Sequence, residues 1–128
     1  MKSPILIDTD VMVDFLRGHP KAVSLVNSNA HRIILSSIVV AELYAGVRDD
    51  DERNKLDNLI SLFRVVPVSL SLAKSGGLYK RDYAKSHGVG LADAIIAATA
   101  DSEKAELKTL NTKHYPMFKR LAPPYLKT

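Results

Sequence analysis

The chain has 128 residues, enough for one sizeable core, and its 46% hydrophobic and 25% charged residues are those of an ordinary folded domain. It has no cysteine, which excludes disulfides, thiolate metal sites and cysteine nucleophiles and suits a reducing, cytoplasmic setting; any metal must sit on oxygen or imidazole. A formal charge of +4 favours loose association with polyanions.

A single domain over residues 1–128 is expected, and the first apolar run, Pro4-Ile5-Leu6-Ile7, reads as a strand buried on both faces. It ends at Asp8, too soon for a signal-peptide core or a membrane span. Residues 11–17 read as a helix capped by Asp10 and closed by Gly18 and Pro20, before a second helix over 21–28. A strand is expected at 32–35, then a helix over 38–47 opened by Ser36-Ser37. The segment 49–63 is an amphipathic helix with Leu56, Leu59, Ile60 and Phe63 on one side.

A third strand falls at 64–68. Ser69 and Ser71 cap a helix reaching about residue 86, which Gly76-Gly77 is expected to bend or split, and Gly88 and Gly90 mark a loop. Residues 91–103 form an alanine-rich helix, 107–110 a fourth strand ending at Asn111, and 115–120 a short helix. Strands alternating with helices imply an α/β fold of three layers, a parallel sheet of four to five strands between helices with right-handed crossovers.

In such a sheet the ligand crevice lies beyond the carboxyl ends of the strands, where Asp8 and Asn111 fall. Glu42 stands in Ile38-Val39-Val40-Ala41-Glu42-Leu43-Tyr44-Ala45, a helix apolar almost all round and therefore expected to be buried, so its charge needs a partner. Val39, three residues earlier, has no hydroxyl for a capping box, which leaves a salt bridge as the structural explanation. Asp93 lies in the first turn of Leu91-Ala92-Asp93-Ala94-Ile95-Ile96-Ala97-Ala98, where the helix dipole already favours an acid. Brought into one crevice, the three carboxylates would need a cation, and all-oxygen ligands point to Mg²⁺ or Mn²⁺.

At these residues the chain resembles the PIN-domain family, especially the VapC-type toxins of toxin–antitoxin pairs. The resemblance runs through Ile7-Asp8-Thr9-Asp10-Val11 with Phe15-Leu16-Arg17-Gly18, then Ser36-Ser37-Ile38-Val39-Val40-Ala41-Glu42-Leu43. It continues in Gly90-Leu91-Ala92-Asp93-Ala94-Ile95-Ile96 and Thr109-Leu110-Asn111-Thr112-Lys113-His114-Tyr115, spanning about residues 5 to 121. It implies a PIN-like fold, Mg²⁺-dependent hydrolysis of RNA phosphodiesters, a catalytic and metal-binding set of Asp8, Glu42 and Asp93, a homodimer, and an antitoxin whose tail enters the active-site groove. The family's fourth acidic position falls on Asn111, where many relatives have Asp; the substitution favours one firmly held metal over two.

Asn111 is open to ligation through its carbonyl oxygen or to a turn role, and Thr9 and Ser37 are candidates for steadying the carboxylates by hydrogen bonds. Arg17 and Lys113 head the candidate phosphate contacts, with Lys80, Arg81, Lys85, Lys108, Lys119 and Arg120 behind them. His114 is expected to be an ordinary surface histidine, with phosphate binding or proton transfer as the alternative. Two rivals remain at this point: a haloacid-dehalogenase-type phosphatase with Asp8 as nucleophile, and a non-catalytic PIN-like module that binds RNA or protein.

Overall fold

Pro4 leads into an apolar triplet, and in the computed structural model, which describes residues 2–127, that triplet is strand β1, Ile5–Ile7, buried at every residue. Three further strands follow: β2 (Ile33–Ser36), β3 (Arg64–Val66) and β4 (Glu106–Lys108). All pairings are parallel, in the order β3-β2-β1-β4, with Ile5 opposite both Ile33 and Glu106. The sheet has four strands, the lower of the expected counts. The central strands β1 and β2 are wholly buried, whereas β3 and β4 at the edges are each exposed at one residue, as expected of a parallel sheet covered by helices.

Among the described residues six α-helices connect the strands: α1 (Thr9–Leu16), α2 (Pro20–Ser28), α3 (Ser37–Ala45), α4 (Asp50–Ile60), α5 (Leu70–His87) and α6 (Leu91–Glu103). The caps are local. Ser36, Asp49 and Ser69 each accept a bond from an amide of the first turn they precede. No helix among the described residues is long and apolar enough to cross a membrane.

Several boundaries differ from the sequence expectation. Helix α1 starts at Thr9, not at residue 11, because Asp8, in extended backbone, takes the cap position assigned to Asp10 and accepts from Thr9 N. Helix α5 is not split by its glycines. A Cβ on Gly76 would lie 2.7 Å from Ile95 Cγ1 and 3.0 Å from Ile95 Cα, so the bare backbone is what lets α5 and α6 approach. Residues 115–120 do not form a helix; a single 3-10 turn, Thr112–His114, precedes Tyr115, whose backbone is not helical, and Pro116 has no amide to donate. Strand β4 stops at Lys108; beyond it the Leu110 amide donates to the Asp10 side chain instead of to a neighbouring strand, and Thr109 Oγ1 donates to Asp8.

The segment 123–127 is latched to α1. Asp14, buried in that helix, accepts from Tyr125 Oη at 2.8 Å and Lys127 Nζ at 2.7 Å, while Lys21 Nζ bonds the Leu126 carbonyl and the His19 ring stacks on Tyr125. Burial pushes the Asp14 carboxyl up, but the Lys127 and Tyr125 bonds outweigh it and hold the group below the usual range.

The contact at Gly76 sets an expected outcome for urea unfolding. Gly76→Val lowers the unfolding free energy by about 1–3 kcal/mol through overpacking against Ile95. Gly77→Ala, where an added Cβ meets nothing within 4 Å, raises it by up to ~1 kcal/mol through helix propensity. Equal effects at the two positions would show that the close approach is not required.

Candidate active site

The parallel pairing of Ile7 with Lys108 places Asp8 and Thr109 side by side where their strands end. Asp8 is 6% exposed, and both its oxygens are engaged. Oδ1 accepts from Thr9 N at 2.8 Å; Oδ2 accepts from Thr109 Oγ1 at 2.8 Å and from Tyr115 Oη at 2.8 Å. Asp10, one residue into α1, joins the same strand ends: its Oδ2 accepts from Leu110 N at 2.9 Å and its Oδ1 from Val11 N. Burial, then the charge of Asp8, raises the Asp10 carboxyl above its ordinary pKa.

Asp93, half-buried in the first turn of α6, faces the same point. The Tyr115 hydroxyl lies 3.3 Å from its Oδ1, and His114 Nδ1 lies 3.2 Å from its Oδ2. Burial raises the Asp93 carboxyl first, Asp8 raises it further, and Glu42 adds a smaller push in the same direction; His114 and Tyr115 oppose them. Burial, then the charges of Asp8 and Asp93, drives the Tyr115 phenol far above its ordinary pKa, so it stays a neutral donor.

Glu42 reaches this cluster from α3, though not from a buried helix. Only Val39 and Leu43 of α3 are buried, and Glu42 is exposed, so water replaces the salt bridge that burial would have demanded. Thr9 Oγ1 donates to Glu42 Oε1 at 2.6 Å and ties α1 to α3. Beside Glu42 runs a groove of about 580 Å³ between α1, α3 and α4. Val13, Leu43 and Leu56 line it together with the cationic Arg17 and Lys55.

The remaining candidates divide. Ser37 accepts from Val68 N at 3.1 Å and fixes the start of α3 to the chain after β3, so its bond goes to backbone and not to a carboxylate. Asn111 is exposed beside the cluster, and its own amide donates to Thr109 Oγ1. Lys113 is exposed in the turn that carries His114, whereas Lys80 is spent on the Val89 carbonyl and Arg81 pairs with Asp82. Sequence reasoning missed Tyr115, Thr109 and Asp10 as site residues and placed His114 as an ordinary surface residue. A hydroxyl's burial beside a carboxylate 107 positions away has no one-dimensional signal.

Among the described residues no three His or carboxylate side chains converge as a ready-made metal cage. The donor chemistry nevertheless fits a hard cation: Asp8 and Glu42 both raise Asp93, so the oxygens repel one another and a positive charge would relieve them. Mg²⁺ and Mn²⁺ keep several waters and take only one or two carboxylates directly, which suits a cluster that is close but not closed.

Residues 5–122 match the profile of the PIN domain family. Over 124 residues the chain is 41% identical to "Ribonuclease VapC10" of Mycobacterium tuberculosis, covering 94% of this chain and 92% of that protein. It is 42% identical to "Ribonuclease VapC19" of the same organism, covering 94% and 98%. Among solved structures, a chain of a toxin–antitoxin complex from Klebsiella pneumoniae superposes with a TM-score of 0.82 at 25% identity, covering 94% of this chain and 98% of that one.

The two raised carboxyls fix the sign of a pH effect. Asp10 and Asp93 hold a proton more tightly folded than unfolded, so the stability they contribute is fully present below the ordinary carboxylate pKa and is lost as pH rises through their folded values. In chelator, Asp93→Asn therefore gains urea stability relative to wild type as pH is raised from about 4 to 7. A difference that stays flat with pH would refute the repulsion.

Proposed function

The chain belongs to the PIN-domain family, and from that premise we infer that it is a VapC-type ribonuclease, the toxin of a VapBC toxin–antitoxin pair, with Asp8, Glu42 and Asp93 as its metal-dependent catalytic set. One observation carries the site assignment. Two carboxylates from different elements, Asp8 after β1 and Asp93 in α6, stand within reach of a single buried hydroxyl, and Glu42 is near enough to raise Asp93.

Asp8 and Asp93, with Glu42 directly or through water, would hold Mg²⁺ or Mn²⁺, and Asn111 stands beside them as a neutral oxygen donor. When bound, the cation supplies charge to a phosphate oxygen and lowers the pKa of water. The chain's own groups do the rest. Glu42, exposed and held at Oε1 by Thr9, would orient the attacking water. The water oxygen bonds to phosphorus as the bond to the leaving ribose oxygen breaks; the attacking water's proton passes to the Glu42 carboxylate that orients it, and the leaving oxygen takes a proton from solvent. Lys113 and Arg17, both exposed, are placed to meet the RNA backbone. Asp8 itself is a poor nucleophile: it is 6% exposed with both oxygens engaged, which disfavours a phosphoryl-enzyme.

The groove beside Glu42 suits the antitoxin. Its apolar wall continues to Leu16, 48% exposed, and its end at Glu42 offers a carboxylate to a basic side chain of an inserted tail. Ile38, Val40 and Tyr44 of α3 pack only partly against the core, which leaves apolar surface for a homodimer, and a chain without cysteine supports a cytoplasmic location.

Asp8→Asn and Asp93→Asn should each lower RNA cleavage on the order of 10²–10³-fold, and Glu42→Gln by less because Glu42 is exposed. Gel assays of single-stranded and structured RNA with Mg²⁺, Mn²⁺ or chelator read the effect. Cleavage that persists in chelator, or wild-type activity in both Asp variants, would overturn the site; RNA binding without cleavage would indicate a non-catalytic module.

A further inference from the structure

The Tyr115 hydroxyl is more than folding requires. Asp8, the buried carboxylate it meets, already accepts from Thr9 N at Oδ1 and from Thr109 Oγ1 at Oδ2, so its charge is solvated by the protein without a phenol. The Tyr115 ring is 1% exposed and stacks on Phe118 at 6.4 Å, a contact that phenylalanine would make equally well without burying an oxygen. Yet the hydroxyl is aimed between two acids, 2.8 Å from Asp8 Oδ2 and 3.3 Å from Asp93 Oδ1, and a phenol has one proton for the two. Asp8 follows β1 and Asp93 opens α6, so this one group spans separate elements.

We propose that Tyr115 is a positioning residue of the cation site: its shared hydroxyl sets the spacing and orientation of the Asp8 and Asp93 carboxylates that receive the metal. The bond to Asp8 is the shorter and fixes that carboxylate; the longer contact holds Asp93 near it and is the easier to release when a cation enters. The proposal rests on the metal-dependent site described above. Groups that orient metal-binding carboxylates from behind are worth roughly 10- to 100-fold in metal affinity.

The test titrates Mn²⁺ alone, by calorimetry, into metal-free full-length wild type, Tyr115→Phe, Asp93→Asn and Tyr79→Phe. Tyr79 also bonds a carboxylate, Asp101, and so controls for loss of a tyrosine–acid bond elsewhere. The expected result is about a 10-fold or greater loss of Mn²⁺ affinity in Tyr115→Phe, wild-type affinity in Tyr79→Phe, and cleavage by Tyr115→Phe that recovers as Mg²⁺ is raised. Urea midpoints check that the stacked ring still packs. Unchanged or tighter Mn²⁺ binding in Tyr115→Phe, with binding weakened in Asp93→Asn, overturns the role of Tyr115 and leaves the metal site standing. Unchanged binding in both variants overturns the metal site and the positioning role together.

Discussion

The burial of the Asp8 carboxylate is the constraint on which the site depends. A carboxylate at 6% exposure needs donors from the chain, which Thr9 N and Thr109 Oγ1 supply from the start of α1 and the end of β4, and Tyr115 adds one more from the segment beyond. Each donor therefore pins a different part of the chain to the carboxyl end of β1. Parallel pairing makes this possible, since it puts the ends of β1 and β4 on one edge of the sheet.

Asp10 extends the same arrangement. By accepting from Leu110 N it draws the chain after β4 against α1, and that chain leads directly to Asn111, His114 and Tyr115. The cost is charge crowding. Asp8 raises Asp10, and Asp8 and Glu42 raise Asp93, so the folded chain holds a cluster that a cation would relax. Helix termini soften the cost, because Asp8 caps α1 and Asp93 sits in the first turn of α6, where the dipole favours a negative charge. Structural and functional explanations of these acids therefore coincide.

Away from the site, two devices keep its supporting helices in place. Gly76 removes the side chain that would hold α5 away from α6, the helix that carries Asp93. Asp14, one turn beyond Asp10 in α1, takes Tyr125 and Lys127 from the segment 123–127 and fixes the helix that carries Thr9.

The sequence by itself determined the alternation of strands and helices, the position of Asp8 at a strand end and of Asp93 in a first turn, because apolar periodicity and turn chemistry are local. It misplaced what non-local contacts decide. Helix α1 begins two residues early because Asp8 caps it; α5 runs unbroken because its glycine answers to Ile95; and α3, apolar in composition, buries only Val39 and Leu43, leaving Glu42 in water. The contacts that Thr109, Tyr115 and His114 make with these acids could not be read at all. Each is defined by an acid from a different part of the chain, and only the register of β1 on β4 and the turn that follows bring donor and acceptor together.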